Sequence, residues 1–203
     1  MTQYHDADQL RKYLQIRLAE AKEQAEQAQD RLHLLETTIK RLGKDDTVMK
    51  YDVTLKEMPQ RYVASLRKII PTYQDEGSLW NQMSQEVGCN LQMANPSYSL
   101  AVFHDEGYKE SDVDVEIQVA VQGKHENTEN VVFKTVEPTQ VAAAVYKGNY
   151  DQIADINEAV AAWVADNGYE YNGPMFNIYH VSPGQDPNPD NWVTEVCYPV
   201  KKT

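Results

Sequence analysis

The strand-like run NWVTEVCYPV near the end of the chain holds the residue best suited to chemistry. Side chains of an extended strand alternate between two faces, which puts Glu195 on the side of Val193, Cys197 and Pro199. A carboxylate alone among apolar neighbours is costly and either takes up a proton or waits for a cation. The run DVDVEIQVAV is different: Val113, Val115, Ile117, Val119 and Val121 point one way, and Asp112, Asp114, Glu116 and Gln118 point the other. Glu116 is therefore expected to face solvent, leaving Glu195 as the floor of a pocket.

Tyrosine outnumbers phenylalanine 13 to 3, and 11 of the 13 lie after residue 45. A tyrosine ring offers an apolar body, a π face for cations and a hydroxyl. A cage of such rings around one glutamate suits a lipophilic cation, and Tyr62, Tyr146 and Tyr150 are the first candidates to line it with Glu195. The histidines show no HxxxH spacing and the two cysteines, Cys89 and Cys197, no CxxC, so neither a metal nor another cofactor is expected. Cys197 has no cationic neighbour in sequence to activate it, and there is no GxSxG elbow or glycine-rich phosphate loop.

These residues need a scaffold, and 203 residues suffice for one substantial domain and an appendage. The apolar share of 41% with 25% charged residues suits a globular chain, and no apolar run is long enough for a membrane helix. Two cysteines and no apolar leader point to the reducing cytoplasm. The net charge of -12 is uneven. Residues 1–45 carry eight basic and eight acidic side chains, so the whole excess falls after them. Such a chain is not expected to bind DNA by itself.

Residues 1–45 form the first expected unit. Leu14, Leu18, Ala21, Ala25, Ala28, Leu32, Leu35, Ile39 and Leu42 recur at alternating spacings of four and three, the heptad seam of a coiled coil. The seam is too narrow to wrap a core and suits one partner helix, so a homodimer is expected through it. Residues 46–203 form the second unit, an internal repeat: Pro59 and Pro138, Gly88 and Gly168, and Glu116 and Glu195 recur 79 to 80 residues apart. Each copy has extended structure, then a helix (75–87, and 150–164 stopping before Gly168), then two strands. The expected fold is α+β: an antiparallel sheet with helices on one face and a concave ligand surface on the other.

The heptad helix, the linker GKDDTV, the segment MKYDVTLKEMPQRYVASLR, the repeated acidic unit and the ending WVTEVCYPV resemble the C-terminal part of MerR-family transcriptional regulators. There a dimerisation helix is followed by a GyrI-like effector-binding domain of the SHS2 fold. The resemblance implies an antiparallel coiled coil between protomers and a pocket where the counterpart of Glu195 meets cationic, hydrophobic compounds amid aromatic rings. Fewer than ten residues precede the helix, so the family's DNA-binding domain is expected to be missing. The implied function is sensing of a small-molecule effector without catalysis; stand-alone relatives that hydrolyse strained cyclopropane-bearing compounds supply the alternative.

Overall fold

The computed structural model describes residues 51–203 and, before them, Leu14, Arg17, Leu18, Lys22 and Leu32. The chain divides into two units, Met1–Met49 and Lys50–Thr203. In the first, those five positions are helical and exposed; the seam positions Ala21, Ala25, Ala28, Leu35, Ile39 and Leu42 lie outside the described residues. No helix among the described residues is long and apolar enough to cross a membrane.

The second unit has ten strands: β1 (Thr54–Met58), β2 (Arg61–Ile70), β3 (Gln92–Met93), β4 (Ser99–Phe103), β5 (Val113–Gln122), β6 (Val132–Val136), β7 (Thr139–Lys147), β8 (Tyr169–Tyr171), β9 (Phe176–Val181) and β10 (Val193–Lys202). Helix α1 (Glu76–Val87) follows β2, and α2 (Ile153–Asp166) follows β7. The two expected helices of this unit are present, α1 starting one residue later and α2 covering 153–166 in place of 150–164, and the runs DVDVEIQVAV and NWVTEVCYPV form β5 and β10. Missed were the two short strands, β3 and β8, which lack the length to show a period. Gly168 turns left-handed, with φ 68°, just past α2, but Gly88 stays right-handed and leads into a 3₁₀ turn.

The antiparallel sheet runs β1-β7-β10-β9-β4-β5-β2-β6, with β3 added to β5 and β8 to β10. This order reads as two like halves joined between β9 and β4. The leading strands are exchanged: β1, which leads into β2, pairs with β7 of the other half, and β6, which leads into β7, pairs with β2. Six strand spacings would separate β1 from β2 by about 29 Å in a flat sheet, yet the chain from Met58 to Arg61 reaches only about 11 Å. The sheet must curl until its ends approach. The two crossings touch, with the Gln60 amide donating to Glu137 at 3.4 Å.

The curl decides what each face does. On the outer face Leu79, Met83 and Val87 of α1 pack on Leu66, Val115 and Ile117, while Ile156, Val160 and Val164 of α2 pack on Ala142, Ala144 and Val196. The inner face closes on its own side chains: Met58 of β1 joins Leu100, Val102, Val141, Phe176, Ile178 and Cys197 in one buried cluster. Arg61 of β2 reaches across to stand 5.8 Å from the Phe176 ring. The expected concave ligand surface is therefore filled, because the short crossings wind the sheet too tightly to leave it open.

Candidate functional site

Glu195 does not stand alone. Its carboxylate pairs with Lys56 Nζ of β1 at 2.5 Å and with His180 Nε2 of β9 at 3.0 Å. Burial pushes its pKa up, but the hydrogen bonds and charges of His180 and Lys56 outweigh that and hold it below the ordinary value. Nor does Glu116 face solvent: it is 3% exposed. It meets Lys134 Nζ of β6 at 2.7 Å and His104 Nε2 at 2.9 Å, and it accepts from Ser65 Oγ at 2.7 Å and Gln118 Nε2 at 2.6 Å. Against the upward push of burial, these contacts hold Glu116 at about 2. The halves thus repeat one triad: a lysine from the exchanged strand (β1 or β6), a histidine just past β4 or within β9, and a glutamate from β5 or β10. The polar face of DVDVEIQVAV lines this interior because the curl turns it inward, which alternation alone does not reveal.

A different carboxylate gathers the aromatic rings. Glu76 opens α1, and Trp80, one turn on, donates its indole Nε1 to Glu76 Oε1 at 2.8 Å. Tyr179 of β9 donates its hydroxyl to Glu76 Oε2 at 2.9 Å. Trp80 and Tyr179 meet edge-on at 6.2 Å, Tyr150 meets Tyr179 at 6.4 Å, and Trp192 lies 5.2 Å from Tyr150. The Trp192 indole is tied to the backbone carbonyl of Asp186 at 2.8 Å. Tyr150 is 37% exposed and forms the open side, while the other members are half-buried.

Glu76 has no ion-pair partner among the described residues. Burial raises its pKa, and the Trp80 and Tyr179 hydrogen bonds only partly offset this. Tyr150 and Tyr179 are also raised, first by burial and then by the negative charge of Glu76. A desolvated carboxylate held by two neutral donors at the end of a row of four aromatic rings is suited to a cation with apolar surface.

The four residues expected to bind a ligand separate accordingly. Glu195 lies on the inner face. Tyr150 is in the aromatic ring. Tyr146 is 3% exposed in the core beneath α2, where burial pushes its pKa up to about 12. Tyr62 packs on the first half's core with Phe133, ring centroids 6.3 Å apart. Neighbouring strand residues face opposite ways, so Glu195 cannot share a face with Tyr146, whose register partner is Thr194. Sequence reasoning missed Glu76, Trp80, Tyr179 and Trp192. The i, i+4 spacing of Glu76 and Trp80 was the available signal, whereas Tyr179 comes from 103 residues away.

The family model for the GyrI-like small molecule binding domain matches residues 51–201. The crystal structure of the EcmrR C-terminal domain is similar at 30% identity and a TM-score of 0.71, over 76% of this chain and 100% of that one. EcmrR in a cryo-EM structure of an EcmrR–DNA complex is similar at 28% identity and a TM-score of 0.73, over 94% of this chain and 72% of that one. A hydrolase encoded by lin2189 from Listeria innocua shares the fold at 13% identity and a TM-score of 0.53, over 80% of this chain and 98% of that one. Comparison with the curated proteins found no match.

Proposed function

The chain belongs to the GyrI-like small-molecule-binding family, and we propose that it is the effector-sensing and dimerisation part of a MerR-type transcriptional regulator, with a lipophilic cation as effector. One observation carries the ligand class: Glu76 is a desolvated carboxylate with no cation among the described residues, bonded to Trp80 and Tyr179 at one end of a row of rings that continues through Tyr150 to Trp192. The likeness to EcmrR, found in a complex with DNA, supports the regulatory context. On this reading residues 46–203 bind the effector without catalysing its conversion, and the acidic chain alone does not hold nucleic acid. Residues 1–45 form the coiled coil of a cytoplasmic homodimer. The exposure of Leu14, Leu18 and Leu32 at 55% to 57% supports the last point, since a seam of leucines calls for a partner.

The test is calorimetric titration with ethyltriphenylphosphonium, a permanent cation, and triphenylphosphine oxide, an uncharged compound of similar shape. The wild type should prefer the cation, and Glu76→Gln should abolish that preference while Glu195→Gln keeps it. Loss at Glu195→Gln alone would move the site to the inner face. For dimerisation, light scattering should give twice the chain mass, and Ala25→Asp, which sets like charges across the seam, should halve it; a monomeric wild type at tens of micromolar would refute the coiled coil.

A further inference from the structure

Beside the aromatic ring lies a patch of buried polar atoms without partners. The registers of β7, β10 and β9 set Tyr146, Thr194 and Tyr179 abreast on the helix-covered face. Asn177 precedes Tyr179 by two residues, faces the same way and lies against its hydroxyl. Thr194, Asn177 and Tyr146 are 0%, 3% and 3% exposed, yet Asn177 Oδ1 makes no hydrogen bond, and Thr194 Oγ1 and the Tyr146 hydroxyl have at most each other and no partner of good geometry. Asn157 Oδ1, on the helix that covers β7 and β10, is likewise unpartnered. Buried polar atoms are nearly always paired, because stripping their water without replacing it is costly. Here several orphans gather in one patch, and Tyr179, at its end, donates to Glu76.

We propose that this row is a hydrogen-bonding floor of the Glu76 site, which takes an uncharged hydroxyl or amide carried by the effector beside its cationic centre. The proposal rests on the reading of Glu76 as the cation-binding carboxylate. The atoms fix the chemistry: the Thr194 and Tyr146 hydroxyls can donate or accept, whereas Asn177 Oδ1 only accepts. A group that both donates and accepts satisfies them together; an ester or nitrile, which only accepts, leaves the Asn177 oxygen bare. The floor thus distinguishes among cations of one size, a choice the aromatic faces alone cannot make.

Two probes differing by one hydroxyl test this: ethyltriphenylphosphonium and (2-hydroxyethyl)triphenylphosphonium, titrated calorimetrically into the full chain. The wild type should bind the hydroxylated cation about three- to tenfold more tightly, the size of one neutral hydrogen bond. Thr194→Val and Tyr146→Phe, which keep shape, should bring that ratio towards one and leave the ethyl compound within twofold of wild type. Glu76→Gln should weaken both. Equal wild-type affinities for the two cations refute the floor and leave the cation site standing; absence of binding by either refutes both. The ligand-free variants give a second readout, since removing an unpartnered hydroxyl should leave the thermal midpoint unchanged or higher. A clear fall at Thr194→Val would show that the hydroxyl already has a structural partner and overturn the proposal.

Discussion

On the inner face of the sheet Glu195 and Glu116 each meet a lysine and a histidine, whereas at the start of α1 Glu76 meets an indole and a phenol and, among the described residues, no cation. The three side chains are chemically identical and all are desolvated, but their pKa values move in opposite directions. Where the fold supplies the positive charge, a buried carboxylate is spent on holding strands together. Where it supplies only neutral donors, the carboxylate is left without a counter-charge among the described residues, which is the basis of the proposed cation site.

The comparison can be broken most forcefully from the inner face. Lys56→Met leaves Glu195 buried with only His180, and should cost about 3 kcal/mol in urea unfolding, the lower end of the range for orphaning one member of a buried pair. Lys134→Met should cost less, about 1 kcal/mol, because Ser65 and Gln118 remain on Glu116. Equal and negligible losses would mean that the inner pairs are no more than surface pairs. Glu76→Gln comes next: affinity for ethyltriphenylphosphonium should fall by about 2 kcal/mol, with no loss of stability at neutral pH because no cation is orphaned.

Acid should separate the two regions as well. Glu116 lies below its unfolded value, so its contribution is fully present above about pH 4.5 and is lost as pH falls from there towards 2. Glu76 has the opposite sign. Its raised pKa favours the folded state at low pH, and that advantage disappears as pH rises from the unfolded value through the raised one. Unfolding free energies measured across this range should show Glu76→Gln gaining on wild type as pH rises. Over the same range cation affinity should weaken on acidification, because the proton and the cation compete for Glu76. A pH-independent affinity would remove Glu76 from the site. The smallest effects concern single rings: Tyr150→Ala should cost about 1 kcal/mol of cation affinity, and Tyr62→Phe, outside the ring, nothing measurable in the same titration.

Much of the scaffold was legible because it is local. Alternation located β5 and β10, the apolar face of Leu79, Met83 and Val87 located α1, and the offset between Glu116 and Glu195 revealed the repeat. Composition led to the expectation of aromatic rings around Glu195, whereas the structure gathers Trp80 and Tyr179 on Glu76. Alternation says which residues share a face; it cannot say which face is inside. That depends on the curl, set by the two-residue crossing of Pro59 and Gln60 and by partners distant in sequence. Lys56 reaches Glu195, and Tyr179 reaches Glu76, over more than a hundred residues, which no local period encodes.

The exchanged leading strands carry a consequence for the domain as a mechanical object. Because β1 is stitched to the second half and β6 to the first, each half wears a strand belonging to the other, like two hands with fingers interlaced. A peptide ending in the 123–130 connection would leave the edge of β2 bare, and the complementary peptide would leave β7 bare. Neither piece is a finished domain, although together they contain every strand needed to reassemble one. Pulling on β1 loads the second half through β7 before the force reaches β2 of the first, so the unit should yield in a single step rather than half by half.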